Sequence, residues 1–294
     1  MLLQFFTLVS AIALPLLGAG TAGTVVGSVL LSISALSLIY PYICRAPAIL
    51  PHAENWTRLY QLGKLQAGEG RKDTVDAIAL ALSSGGNVKT HPLLLGKSGV
   101  GKTQMIKALV EAIEKGEYPE LSGKQVFYIN TADLINKEDR TRILNRLSEA
   151  MGRHRNDIIL VFDRIHLACQ KRDSAILGEQ LKTLLDPGID SFPHVIGITT
   201  EEEFYRDIYS QNPDFARRFK RIQIENTPPV ETVQILHTAL LKQSPKILTQ
   251  PQAFETLMKK TKAAFGRDAA EPASSLKVLS LCVKKASESQ KSAT

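Results

Sequence analysis

The first 44 residues contain no Asp, Glu, Lys, Arg or His. This absence excludes an ordinary amphipathic surface helix there, because such a helix carries a polar stripe. Two apolar stretches, Met1–Leu17 and Val25–Cys44, flank a turn of small residues, GAGTAGT. Each stretch is close to the roughly 20 residues that cross a bilayer core. We therefore expect residues 1–45 to form a two-helix transmembrane hairpin, with residues 1–44 in contact with the membrane.

Two alternatives to this hairpin are a signal peptide and a buried core hairpin. A signal peptide has a basic N-terminal region and a single apolar stretch, whereas this segment has no basic residue and two stretches. A core hairpin would show the polar stripe that both stretches lack. Arg45, Arg58 and Lys64 follow the second stretch, and positive residues favour the cytoplasmic side. The sequence predicts a multi-pass membrane protein with two spans and its main body on the cytoplasmic side.

Cysteine is scarce, and no cysteine pair has the spacing of a metal site. Cys44, Cys169 and Cys282 lie far apart, which gives no support to a disulfide framework or a zinc site. The net charge is +7, and from Lys242 to the C-terminus ten Lys or Arg face four Asp or Glu. This basic end could contact anionic lipid or nucleic acid, or it could be a solvated helical surface. No nucleic-acid-binding motif accompanies it, so nucleic acid is not an expected partner.

A complete phosphate-binding motif, GxxxxGK[ST], is present at residues 96–103 (GKSGVGKT). Glycines let successive N–H groups turn inward around phosphate oxygens. Lys102 can reach the β- and γ-phosphates, and the Thr103 hydroxyl can ligate Mg²⁺. The alternative is a chance match in a Gly-rich turn. An apolar run precedes the loop, and a helical pattern over Gln104–Lys115 follows it, which is the context that phosphate binding needs.

The motif therefore predicts ATP and Mg²⁺ as ligands. The cofactor-binding residues that we expect are those of the loop together with one acidic residue: Gly96, Lys97, Ser98, Gly99, Val100, Gly101, Lys102, Thr103 and Asp163. Asp163 ends the apolar strand pattern Ile158–Asp163, about 60 residues after the loop. In P-loop NTPases such a carboxylate holds Mg²⁺, so Thr103 and Asp163 are the predicted metal ligands.

Apolar runs alternate with helical patterns in the body of the chain, which is typical of an α/β fold with a parallel sheet. The predicted strands are 92–95, 125–130, 158–163, 194–199 and 221–224. The predicted helices are 74–82, 103–115, 140–152 and 174–185, and after Pro228-Pro229 three more follow, near 230–243, 251–261 and 273–286. The predicted organisation is a hairpin (1–45), a linker (46–69), an α/β subdomain (70–227), a helical lid (228–286) and a disordered tail (287–294).

Several ordered motifs resemble the first ATPase module of the Clp unfoldases and disaggregases, a branch of the AAA+ ATPases. The resemblance runs from about residue 70 to residue 286. It rests on Gly70-Arg71 with Val75, Gly116–Glu120 with Gly123-Lys124, Asp163–His166, Gly197–Thr200 with Glu203–Tyr205, and Ala216–Phe219. Nothing comparable covers residues 1–66. The resemblance implies a P-loop NTPase (AAA+) fold with a five-stranded parallel sheet and a C-terminal helical lid.

The resemblance also implies residue roles. Thr199 would be the sensor residue near the γ-phosphate. Arg217 and Arg218 would be arginine fingers that reach a neighbouring subunit's nucleotide, where a guanidinium neutralises charge in the transition state. Arginine fingers that act on a neighbouring subunit require a homo-oligomer. The resemblance implies that this oligomer is a ring, with a hexamer as the expected size.

This chain departs from the family pattern at four places. Arg164 stands where the family has its catalytic Glu, Glu69 replaces an apolar residue, and the segment after Asn130 lacks the aromatic pore loop. Residues 271–276 offer no clear sensor-2 Arg. Arg cannot act as a general base, so we expect slow turnover. The alternative is that Arg164 points away and another carboxylate, such as Glu201 or Glu202, positions the water.

We therefore expect a membrane-anchored AAA+ ATP-binding protein, a weak ATPase that remodels or assembles a protein partner. The alternative is a nucleotide-dependent scaffold or switch with little or no hydrolysis. A third reading, a nucleic-acid loader, fits the basic C-terminal region but not the hairpin.

Overall fold

The computed structural model describes residues 49–66, 68, 71–83, 91–135, 145, 147, 149, 151–170, 181, 185, 193–243, 251–266 and 269–291. The chain divides into two compact units, Met1–Pro47 and Ala48–Thr294, and all of these residues belong to the second. The hairpin predicted for residues 1–45 lies outside them, as do most residues of the helices predicted for 140–152 and 174–185. In the ranges just given, no helix has both the length and the apolar composition to cross a membrane.

A six-stranded mixed sheet forms the centre of the unit. Its strands are β1 (Glu54–Asn55), β2 (His91–Leu95), β3 (Gln125–Asn130), β4 (Ile158–Asp163), β5 (His194–Thr199) and β6 (Phe219–Gln223). Their order in the sheet is β1-β3-β4-β5-β2-β6. The prediction of a five-stranded parallel sheet is wrong in one respect, because β1 pairs antiparallel with β3 at the edge. A strand of two residues is too short to show any hydrophobic period, so no sequence pattern predicts it.

The five predicted strands are present, and their burial explains why the sequence predicts them. All five residues of β2 are buried, as are the first five of β4. Strands covered by helices on both faces show continuous apolar runs, and β4 lies between β3 and β5 in the sheet. β6 begins at Phe219, two residues before its predicted start, and pairs with β2 from His91↔Phe219 to Leu95↔Gln223.

Helices and short turns connect the strands. The helices are α1 (Trp56–Gln61), α2 (Lys72–Ser83), α3 (Lys102–Glu114), α4 (Thr131–Ile135), α5 (Glu201–Glu203), α6 (Pro213–Ala216), α7 (Pro229–Gln243), α8 (Pro251–Phe265) and α9 (Ala273–Lys291). A π-helical stretch, Phe204–Tyr209, continues α5. Turns of 3₁₀ helix lie at Pro119–Leu121, Gly152–Asp157 and Ile165–Cys169. The apolar face of α3, including Ile106 and Leu109, packs with α2 in the main core.

Part of the predicted linker, residues 46–69, packs on the sheet. Trp56 is only 3% exposed, and its ring stacks on Tyr128 of β3 with 4.3 Å between centroids and 8° between planes. The Asn55 side chain caps α1 by accepting a hydrogen bond from the Arg58 N–H at 2.9 Å. Burial of one large aromatic ring is enough to hold so short a segment. The domain boundaries as a whole remain predictions.

The last three helices form a small bundle with its own core. Leu236 and Leu240 of α7, Phe254 and Met258 of α8 and Leu279 of α9 are buried together. Helix α9 ends at Lys291, so residues 287–291, predicted as disordered tail, are helical here. The stretch after Ala286 contains no Gly or Pro, and nothing in its composition breaks a helix.

Candidate functional site

The phosphate-binding loop leaves β2 at Gly96 under tight packing. A Cβ atom on Gly96 would lie 2.3 Å from the backbone oxygen of Ile224, so only glycine fits. The Ile224 N–H donates to the Leu95 carbonyl at 2.7 Å, which fixes the loop entry to the chain just after β6. Gly99 and Gly101 take φ values of +94° and +96°, in the region that side chains disfavour.

Lys102 is buried at the first position of α3. Its Nζ donates hydrogen bonds to the carbonyl oxygens of Gly96 at 2.6 Å and Lys97 at 2.9 Å. Burial lowers the pKa of Lys102, and the charges of Asp163 and Glu203 act in the opposite direction. The ammonium group is thus held across the loop, where the N-terminus of a 13-residue helix also favours an anion.

A cleft of about 600 Å³ opens in front of the loop. The predicted residues that line it are Ser98, Gly99, Gly101, Lys102, Thr103, Asp163 and Thr199. The remaining predicted loop residues contribute differently. Gly96 and Lys97 hold Lys102 through their carbonyl groups, while the side chain of Val100 is buried in the main core.

Asp163 ends β4 and faces the cleft with both carboxylate oxygens engaged. Its Oδ2 accepts a hydrogen bond from the Tyr128 hydroxyl at 2.6 Å, and its Oδ1 accepts one from the Arg164 N–H at 3.0 Å. Burial, followed by the hydrogen bond to Asp163, raises the pKa of Tyr128, so the phenol stays protonated and donates. The Thr103 hydroxyl and the Asp163 carboxylate are oxygen ligands of the kind that Mg²⁺ prefers, so the donor set fits the ion.

Arg164 lines the cleft directly beside Asp163. It adopts the left-handed backbone conformation, with φ 55° and ψ 45°, and its side chain is exposed. A non-glycine residue in this region is uncommon, and such residues concentrate at functional sites. The role of Arg164, like the alternative that it points away from the site, remains a prediction.

Thr199, at the end of β5, belongs to a hydrogen-bonded cluster with His166 and Glu203. Its Oγ1 lies 2.8 Å from His166 Nδ1 and donates to Glu203 Oε2 at 3.1 Å. The same Oε2 accepts from the Thr200 N–H at 3.1 Å and lies 3.2 Å from His166 Nδ1. Burial lowers the pKa of His166, although the charge of Glu203 opposes this. The Nδ1 atom of His166 thus faces both the Thr199 hydroxyl and the Glu203 carboxylate.

Glu203 is a residue of the site to which the sequence reasoning assigned no role. Burial acts to raise its pKa, but hydrogen bonds from Thr200 and Thr199 and the nearby His166 outweigh burial, so the pKa lies below its usual value. Its sequence signal is the capping box that it forms with Thr200 three residues earlier, a motif that is normally taken as structural.

Glu201 and Glu202 were considered above as carboxylates that could position the attacking water, but they do not line this cleft. They border a second one of about 810 Å³ on the other flank of the loop. Glu201 accepts a hydrogen bond from Gln223 at 3.2 Å, and Glu202 pairs with Arg206 at 3.3 Å. In the described part of the chain, Asp163 and Glu203 are the carboxylates that reach the first cleft.

The predicted arginine fingers lie away from the cleft of their own chain. Arg217 and Arg218 immediately precede β6 and are not among the residues that line the cleft. The Arg217 side chain is 80% exposed and pairs with Asp214 at 3.4 Å. Arg218 is half-buried. Their location is compatible with a contact to another subunit, and their roles remain predictions.

The side of the cleft formed by the lid is apolar. It consists of Pro272, Ala273 and Leu276. A Cβ atom on Gly99 would lie 2.8 Å from the Cβ of Ala273, so the start of α9 contacts the tip of the loop. The charged groups that line the cleft therefore all come from the α/β part.

Comparison with known proteins agrees with this geometry. Residues 92–226 match the family described as "ATPase family associated with various cellular activities (AAA)". The chain is 30% identical over 199 residues to the chloroplastic chaperone protein ClpC1 of Oryza sativa subsp. japonica, an alignment that covers 65% of this chain and 21% of that one. It is 32% identical over 192 residues to the chaperone protein ClpB of Meiothermus ruber, with 61% and 21% covered. The chain thus spans about a fifth of the length of these relatives.

Solved structures show the same fold. The Hsp104–ADP complex of S. cerevisiae superposes with a TM-score of 0.61 at 26% identity, over 76% of this chain and 32% of that one. A closed-state Hsp104 with ATPγS and FITC casein gives a TM-score of 0.65 at 23% identity, over 81% and 42%, which supports the fold alone. Residues 92–226 therefore have the AAA+ P-loop fold, and their sequence is similar to that of the Clp chaperones.

Proposed function

We propose that this protein binds Mg²⁺-ATP in the cleft at residues 96–103 and hydrolyses it slowly. One observation carries the proposal: Lys102, Thr103 and Asp163 line the cleft together, and an arginine, Arg164, occupies the position beside Asp163. Lys102, Thr103 and Asp163 are the elements that would bind a nucleotide. Arg164 cannot act as a general base.

Nucleotide binding follows from the charges of the cleft. The Lys102 ammonium exchanges its hydrogen bonds to the loop carbonyls for contacts with the β- and γ-phosphates. Thr103 and Asp163 would hold Mg²⁺, which supplies charge neutralisation between the phosphates when bound. Thr199 lines the same cleft, and its hydroxyl would reach the terminal phosphate after giving up its hydrogen bond to Glu203. The apolar Ala273 and Leu276 would lie beside the bound nucleotide.

Slow hydrolysis follows from the chemistry of Arg164. General-base assistance contributes roughly 10²–10⁴-fold in rate, and a guanidinium has donors but no atom that accepts a proton. Glu203 is the carboxylate that remains besides Asp163, and its Oε2 already accepts from Thr199 and Thr200. The positive charge of Arg164 also favours bound ATP over the products.

Arg217 and Arg218 are proposed to complete the site of a neighbouring subunit in a homo-oligomeric ring, with a hexamer as the expected size. Sedimentation of the full chain with a non-hydrolysable ATP analogue should reveal a species larger than a monomer, and the Arg217→Ala, Arg218→Ala variant should shift it toward monomer. A strict monomer at high concentration with nucleotide bound would remove this assignment.

The uncharged residues 1–44 are proposed to anchor the module to a membrane as a two-span hairpin, with the ATPase part on the cytoplasmic side, where it remodels or assembles a protein partner. The anchor lies outside the described residues, so the proposal rests on composition. Full-length protein should remain in the pellet after carbonate extraction, and a chain that begins at Ala46 should not. Full-length protein in the supernatant would refute the anchor.

Steady-state turnover of the full chain tests the proposed activity against its alternative, a nucleotide-dependent scaffold or switch. Calorimetry should show Mg²⁺-ATP binding, and phosphate release should be slow but above that of a Lys102→Ala control. Binding without any release above the control would favour the scaffold. Absence of binding would refute both.

A further inference from the structure

We propose that Tyr128 is a positioning residue for the Mg²⁺-facing carboxylate of Asp163, and that its stack on Trp56 couples this carboxylate to the segment Glu54–Gln61. The proposal rests on the proposed nucleotide function and assigns a role to residues outside the phosphate-binding motifs. It concerns the one edge of the sheet that the sequence did not predict.

The first step is the contact between the phenol and the carboxylate. Tyr128 and Asp163 lie on the neighbouring parallel strands β3 and β4, two rungs apart, since Tyr128 pairs with Val161 and Asn130 with Asp163. The Tyr128 hydroxyl donates to Asp163 Oδ2 at 2.6 Å, a short bond that is typical of a charged acceptor. With Oδ1 accepting from the Arg164 N–H, both oxygens are oriented and the carboxylate cannot rotate freely.

The second step is the anchoring of the phenol. The Tyr128 ring lies flat on Trp56, 4.3 Å away, and the Trp56 indole N–H donates to Glu54 Oε2 at 3.1 Å. The Val126 N–H of β3 donates to Thr57 Oγ1 at 3.0 Å. The Tyr128 ring is therefore packed against the segment of residues 54–61, which is itself tied to β3.

The third step links the same segment to the phosphate-binding helix. Lys107 of α3 places its Nζ 5.7 Å from the centre of the Trp56 ring, within the range of a cation–π contact. The Gln61 side chain donates to Glu114 Oε2 at 2.8 Å. Segment 54–61 thus contacts the helix that bears Lys102 and Thr103 and the strand that orients Asp163. It is the part of the described chain that follows the N-terminal unit.

The test compares Tyr128→Phe with Tyr118→Phe in the full chain. Tyr118 donates to Asp76 Oδ1 at 2.6 Å, so the control removes an equally short phenol–carboxylate bond outside the cleft. Phe keeps the ring on Trp56. Calorimetry gives the ATP affinity with and without Mg²⁺. The ratio of these two affinities measures how much bound Mg²⁺ strengthens ATP binding, and so reports on the metal site. Removing a partner that orients a metal ligand weakens metal binding about 10–100-fold. Because Asp163 is proposed to act with a single further protein ligand, we expect a loss near tenfold in this ratio for Tyr128→Phe.

The ATP affinity without Mg²⁺ should stay unchanged in both variants, and the ratio should stay unchanged in Tyr118→Phe. A ratio that matches wild type in Tyr128→Phe would overturn the positioning role while leaving the proposed function intact. If wild type binds no nucleotide, the proposed function fails and this inference fails with it. A loss of melting temperature without a change in the ratio would show that the bond is merely structural.

The coupling has an optical readout, because Trp56 is the single tryptophan of the chain. Addition of Mg²⁺-ATP should change its fluorescence in wild type and in Tyr118→Phe, and should change it less in Tyr128→Phe. An identical change in all three proteins, or none in wild type, would overturn the coupling to segment 54–61.

Discussion

The two sides of the nucleotide cleft differ in their chemistry. The α/β side presents Lys102, Asp163, Arg164, His166 and Glu203, whereas the lid side presents Pro272, Ala273 and Leu276. Charged groups must be held within tenths of an ångström to recognise phosphate, and the sheet and the first turn of α3 can do this. The lid residues that line the cleft are apolar. We infer that the α/β side, which carries the charged groups of the cleft, is the side that binds the phosphates.

The largest expected effect comes from Arg164→Glu, which adds a third carboxylate to the charged side, beside Asp163 and Glu203. A Glu there can polarise the attacking water, so phosphate release under saturating Mg²⁺-ATP should rise about 100-fold, the low end of general-base contributions. Arg164→Gln is the matched control, because it removes the charge without adding a base and should give a smaller rise. Brisk turnover by wild type that falls in Arg164→Glu would contradict the proposed slow hydrolysis.

The next effect comes from Lys102→Ala, which removes the central cation of the charged side. The ATP dissociation constant measured by calorimetry should rise at least tenfold, about 1.4 kcal/mol. Lys115→Ala is the control, since Lys115 follows α3, pairs with Glu111 at 2.6 Å and does not line the cleft. Equal affinity in wild type and Lys102→Ala would mean that the loop does not hold phosphate.

A smaller effect is expected where the two sides touch, at Gly99. An Ala there is strained at φ +94° and meets Ala273 at 2.8 Å, whereas an Ala at Gly116 is strained at φ +78° with no atom within 4 Å. The strain alone costs about 1–2 kcal/mol. Thermal unfolding should show a larger loss for Gly99→Ala than for Gly116→Ala, together with weaker ATP binding in the former alone. Equal losses of thermal stability in the two variants would show that the lid moves away from the new methyl group without a loss of free energy.

The smallest effect is a pH dependence from His166. Burial holds the pKa of this imidazole below its ordinary value of 6.5, so the unfolded chain takes up a proton at higher pH than the folded one. Stability should therefore fall as the pH drops below about 6.5 and level off beneath the folded pKa. The groups facing the ring are Glu203, Asp207, Arg206 and Arg164. The melting temperature should vary less between pH 7.5 and 5.5 in His166→Asn; equal slopes would contradict this assignment.

The strands could be predicted from the sequence because buried parallel strands produce apolar runs. The phosphate-binding loop could be predicted because its residues are consecutive in the chain. β3, β4 and β5 have the predicted bounds. The Tyr128–Asp163 contact was not readable, because it joins residues 35 positions apart and depends on the register of two strands. Strand β1 is held by packing of Trp56, which is a tertiary effect without local periodicity.

Only some of the residues on the charged side of the cleft could be predicted from the sequence. Lys102, Thr103 and Asp163 follow from fixed motifs, and the structure places all three at the cleft. Glu203 was missed in favour of Glu201 and Glu202, because three consecutive glutamates look alike until the helix phase is known. The capping box turns Glu203 back toward Thr199 and leaves its two neighbours exposed.

The ladder between β2 and β6 has a consequence for cooperativity. β6 begins beside Arg217 and Arg218, pairs with β2 over five rungs, and is followed by Ile224, which braces Leu95 and Gly96. This ladder extends roughly 16 Å at 3.3 Å per residue. If the two arginines reach a neighbour's nucleotide as proposed, that nucleotide is mechanically connected to the loop of this chain, and the sites become energetically linked. ATP saturation curves should then give a Hill coefficient above one that falls to one in the Arg217→Ala, Arg218→Ala variant. A coefficient of one in an assembled wild-type oligomer would mean that each subunit cycles independently of its neighbours.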